Sequence, residues 1–98
     1  MPAIDEAALV AARHADRLLA AVRDLGLDRW ERYLGAVPDH LRDGDLREIR
    51  AAAMRTRAAY GPKDSIRDSI AEELTEPLLE SVDRLLKALA RREVRGDA

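Results

Sequence analysis

Six carboxylates and no base occupy residues 68–83: Asp68, Glu72, Glu73, Glu76, Glu80 and Asp83. Carboxylates in such density can hold a cation or serve as general acid and base. Residues 84–95 reverse the sign, setting Arg84, Lys87, Arg91, Arg92 and Arg95 against Glu93, as a nucleic-acid patch would. A plain helical explanation accounts for both. Acids at the start and bases at the end of one helix complement its dipole, and Glu80 with Arg84 and Asp83 with Lys87 are i, i+4 pairs in the favoured order.

Other reactive groups are few. His14 and His40 are the only histidines, and neither has a carboxylate three residues before it, so the Glu-x-x-His pattern of bundle di-iron sites is missing. Both read as surface histidines, and without cysteine they make poor zinc chemistry. Ser65, Ser69, Ser81, Thr56 and Thr75 lack a neighbouring histidine, and Ser65 and Thr75 read as helix caps. The glycines are isolated and form no phosphate loop. The acidic stretch has no accompanying apolar pocket pattern. The expectation is therefore a non-enzyme, with no catalytic residue, metal or cofactor and no evident small-molecule substrate.

Residues 42–67 carry a net charge of +3, with Arg42, Arg47, Arg50, Arg55, Arg57, Lys63 and Arg67 against Asp43, Asp45, Glu48 and Asp64. Two helices joined across Gly61-Pro62-Lys63 would resemble a helix-turn-helix, with 64–74 as recognition helix. That helix would present Asp68, Glu72 and Glu73 to phosphates, which is unfavourable, and the chain has no Asn or Gln to read adenine. A hairpin pivoting at Pro62 instead predicts internal pairs, Arg57 with Asp68 and Arg50 with Glu72. A helical nucleic-acid-binding regulator using the 46–60 and 64–74 helices is the alternative function.

Trp30 and Tyr33 remain as candidates for recognition. Aromatic side chains with a polar tip are enriched at interface hot spots, and Arg29 and Arg32 beside them would suit a rim. With so few aromatic residues in the chain, Trp30 reads rather as a plug at the end of the bundle.

The elements that must position these residues are all helical. Ile4, Ala8, Ala11, Ala15, Leu18, Val22 and Leu25 follow alternating steps of four and three, placing them on one face of a helix over about 3–25. Gly26 should end it in the left-handed conformation. Asp28 should cap a helix over 28–37, closed by Pro38 and followed by a turn-rich segment with at most one helical turn around Leu41. Asp45 and Glu48 form a capping-box pattern for a helix over 46–60, which Gly61-Pro62 stops. A helix over 64–74 would carry Ile66, Ile70 and Leu74, and a last helix over 76–93, capped by Thr75 with Pro77 in its first turn, Leu78, Val82, Leu85 and Leu89. Arg95, Gly96 and Asp97 have nothing to pack and should fray. No segment alternates as a strand would. The expectation is an all-α, compact bundle of four to five helices in one domain spanning 1–98.

Composition bounds the rest. Of 98 residues, 47% are hydrophobic but only 3% aromatic, so the core must be slender and aliphatic, which suits closely packed helices. A formal net charge of −2 gives no global attraction to nucleic acid or an anionic membrane. No apolar run approaches the roughly 20 residues of a spanning helix, and Asp5 and Glu6 stand where a signal peptide would be positive. The absence of cysteine, together with a bias to Arg and Ala without Asn or Gln, points to the cytoplasm of a bacterium with a GC-rich genome. The alanine-rich half of the first stripe should admit the large side chains of the last helix. Leu9, Val10 and Leu19 lie off that stripe and should seek a partner outside the chain. The expected function is a protein–protein interaction module, a homodimer or a small regulatory or adaptor subunit, binding through Leu9, Val10, Leu19, Arg29, Trp30, Arg32 and Tyr33.

Overall fold

The computed structural model describes residues 2–94, and of Pro2 only its place in a helix; the fraying expected at Arg95, Gly96 and Asp97 lies outside the described residues. Five α-helices and one 3-10 turn form an all-α bundle without strands among these residues: α1 (Pro2–Asp24), α2 (Asp28–Leu34), α3 (Val37–Asp43), α4 (Leu46–Ala58), the turn Ile66–Asp68, and α5 (Glu72–Val94). No helix of the described residues is long and apolar enough to cross a membrane.

The frame is α1 packed on α5, each 23 residues long. From the heptad row of α1, Ile4, Ala8, Ala11, Ala15, Leu18 and Val22 are buried, and so are Leu78, Val82, Leu85 and Leu89 of α5. Alanine at three successive positions of the row leaves room for the branched side chains opposite, which is why these helices need no aromatic filler. Leu25, the last of the row, is exposed, because the chain leaves the helix at Gly26 with φ of 66°. Of the three buried hydroxyls, Thr56 donates to the carbonyl of Ala52 and Ser81 to that of Leu78, while Thr75 donates to the Glu76 carboxylate.

Three expectations about the elements need correction. The helix expected over 28–37 ends at Leu34, and Pro38 is the second residue of a further helix, α3, instead of closing the first. It occupies the first turn of α3, where a missing N–H costs no intrahelical bond. Asp28 is the first helical residue and Leu27 holds the cap position, with no side-chain cap. The capping box on α4 forms as its spacing predicts, with Asp45 accepting from the Glu48 N–H and Glu48 from that of Asp45.

The third correction is the helix over 64–74, of which only the 3-10 turn exists. Asp64 adopts φ of 53°, and the Ile66 N–H bonds the carbonyl of Ala59, folding the segment back on the end of α4. Ile66 and Ile70 still reach the core. Helix α5 then starts at Glu72, earlier than expected, so Thr75 is buried inside it and not its cap. Pro77 sits in the second turn, where its only lost bond is the one to the carbonyl of Glu73.

This changes the ion pairs. The long α5 runs antiparallel to α4, so Arg57 meets Asp83 at 2.6 Å and Arg50 meets Glu93, in place of the expected Asp68 and Glu72. Glu80 and Arg84 do pair at i, i+4, at 3.2 Å.

Candidate functional site

Helix α2 is short, and Tyr33 is locked onto α4 by a reciprocal arrangement with Arg55. The Tyr33 hydroxyl donates to the carbonyl of Arg55 at 2.9 Å, and the Arg55 Nε–H donates to the carbonyl of Tyr33 at 2.6 Å. The guanidinium lies 4.0 Å from the centre of the Tyr33 ring, a cation–π contact. Behind it, Trp30 meets Tyr33 edge to face at 5.8 Å and is only 8% exposed, with Arg29 over its outer face at 5.1 Å. Trp30 is thus a plug, and Tyr33, half-buried, is its exposed neighbour.

A cleft of about 320 Å³ opens beside this pair, between α2, α3 and α4. Ala36, Val37, Ala51 and Ala52 give it an apolar floor, with the Tyr33 ring. Arg32, His40 and Arg55 stand around it, and no carboxylate lines it.

The neighbouring acids are turned elsewhere. Glu31 pairs with Arg23 at 2.9 Å, and Asp39 lies 3.6 Å from Arg42, which also bonds Asp16 at 2.5 Å. Arg23, Arg42, Arg50, Arg57, Arg67 and Arg84 each have a carboxylate partner. Of the eight arginines among the described residues that have none, Arg32 and Arg55 stand at the cleft.

The residues singled out in the sequence fall into separate groups. Arg29, Trp30, Arg32 and Tyr33 gather at the α2 end, and Arg32 and Tyr33 line the cleft. Leu9 and Val10 are 40% and 41% exposed on α1, away from it. Val10 borders a smaller hollow of about 120 Å³ with His14, Pro77 and Arg84. Leu19 is a correction: it is 4% exposed and belongs to the core, so it is not available to a partner. Its cover is α3, which packs on α1 and is tied there by Arg42 and Asp16. His40 and Arg55 were not foreseen as site residues. Arg55 lies 22 residues from Tyr33, so no spacing rule links them.

A second hollow of about 290 Å³ lies at the start of α5, lined by Arg67, Glu72, Thr75 and Glu76. Here Arg67, Thr75 and Glu76 satisfy one another. Arg67 forms a two-pronged bond to Glu76 at 2.8 and 2.9 Å, and the Thr75 hydroxyl donates to the same carboxylate at 2.9 Å. The Tyr60 hydroxyl donates to the Thr75 carbonyl at 2.5 Å. The bond from Arg67, then that from Thr75, holds the Glu76 carboxyl below its ordinary range, and burial, with the charge of Glu76, pushes the Tyr60 phenol up. The bonded cluster closes a seam, and Glu72 at its edge acts on Arg67 by charge alone. No three His, Cys, Asp or Glu side chains among the described residues are placed to hold a metal.

The chain matches no protein-family model, no curated protein and no solved structure.

Proposed function

We propose that this chain is a non-enzymatic protein-interaction module of a bacterial cytoplasm, a small regulatory or adaptor subunit that receives another protein in the cleft of α2, α3 and α4. The observation that carries the reading is the cleft itself: an apolar floor with an aromatic wall and cations that have no counter-charge. Buried apolar anchors inside a polar rim are how interfaces concentrate their binding energy. The homodimer form of this reading has less support, because Leu19, one of three residues thought to be left for self-association, is internal.

The nucleic-acid alternative relied on a second helix over 64–74, and a three-residue 3-10 turn stands there. Its remaining support is the same group of cations.

Site-specific photo-crosslinking separates these. A benzoylphenylalanine at Ala51, exposed at the cleft, should give a discrete protein adduct in cytoplasmic extract of the source cells, and one at Ala20, exposed on α1, should not. No adduct at Ala51, or equal adducts at both positions, would overturn the reading. Binding to duplex DNA that falls steeply with salt would replace it by the alternative.

A further inference from the structure

The geometry points to Arg55 as the anchor for a carboxylate side chain on the partner, so that the segment entering the cleft is acidic and amphipathic. This rests on the interaction reading above and adds the chemistry of the partner. Arg55 is held at three points by Tyr33: the ring beneath its guanidinium, the carbonyl taken by Nε–H, and the phenol bonded to its own backbone. Only Nε is used, so both terminal nitrogens keep their donors, in the planar fork that matches a carboxylate. A fork already held in place loses little freedom on binding.

Arg32 and His40 stand at the same cleft, and the acids beside them in sequence, Glu31 and Asp39, are engaged by Arg23 and Arg42. The positive charge is therefore not neutralised from within. The floor of Ala36, Val37 and Ala52 offers no polar side chain, so the group next to the carboxylate must be apolar. A polypeptide helix with Asp or Glu flanked by Leu meets both demands. A nucleic-acid backbone presents repeated phosphates and would leave the apolar floor uncovered.

The test uses the whole chain and a fluorescein-labelled helical peptide with leucines at i, i+3, i+4 and i+7 and aspartate or glutamate between them. Anisotropy should show saturable binding, weakened about tenfold by Arg55→Gln and not restored by Arg55→Lys. Arg32→Gln touches no internal contact and should weaken binding without altering the fold, whereas Arg84→Gln, paired with Glu80 elsewhere, should leave it unchanged. The peptide with Asn and Gln in place of its acids should not bind. Equal binding of the amide peptide, indifference to both Arg55→Gln and Arg32→Gln, or preference for a 20-nucleotide single strand over the peptide would overturn the inference. A crosslink at Ala51 together with such indifference would leave the interaction reading standing and remove the acidic partner alone.

Discussion

Arg67 and Arg55 each lie over a tyrosine ring, Arg67 at 5.3 Å from Tyr60 and Arg55 at 4.0 Å from Tyr33, yet their neighbours give them opposite roles. Arg67 finds Glu76 across the segment that joins α4 to α5 and closes a structural knot. Arg55 finds only backbone and ring, so its charge faces the cleft. The knot makes a pH-dependent prediction. Because the folded state lowers the Glu76 carboxyl below its unfolded value of about 4.3, its contribution to stability is complete above that value. It is lost as pH falls through the lowered folded value. Urea midpoints of the wild type and Glu76→Gln should therefore differ at pH 7 and draw together as the pH falls below the unfolded value of about 4.3. A constant gap across that range would show that Glu76 acts through shape and not charge.

At the scale of elements, the capping box of α4 and the left-handed Gly26 were legible because each is a rule about adjacent residues. The 64–74 helix was not. Its apolar row at i, i+4, i+8 also fits a 3-10 turn followed by a new helix, since Ile66 and Ile70 are buried either way. Helix α3 was hidden by Pro38 and by Asp39, Asp43 and Gly44, residues shared by turns and by the first and last turns of short helices. Gly44 joins α3 to α4 at close range. A β-carbon there would stand 2.4 Å from the carbonyl oxygen of His40 and 2.8 Å from Cβ of Glu48, positions fixed by backbone. Gly44→Ala should lower stability by about 2 kcal/mol, read as a fall in melting temperature, although its φ of −73° suits any residue. An unchanged melting temperature would mean that the α3–α4 corner yields freely.

For the whole molecule, the decisive fact is where α3 lands on α1. Asp16 marks the side of α1 that α3 covers, and Ala12 and Leu19 on that side are buried. Leu9 points in nearly the same direction as Asp16 but lies about 10 Å nearer the start of the helix, and the seven-residue α3 is itself only about 10 Å long. Leu19→Ala should therefore cost about 2–5 kcal/mol of stability, against less than about 1 kcal/mol for Leu9→Ala. Chemical denaturation of the two variants measures the difference, and equal losses would contradict this placement of α3. The heptad row, the aliphatic composition and the capping pattern by themselves determined an all-α bundle framed by the first and last helices, because periodicity and caps act between residues near in sequence. Which surfaces those helices leave open was decided only by the tertiary structure. Burying Leu19 required a helix that its own residues scarcely announce. Bringing Arg55 onto Tyr33 required α2 and α4, 22 residues apart, to dock at one register. Long-range packing assigns each cation its neighbour, and a cation without an acidic neighbour is what turns a surface into a candidate site.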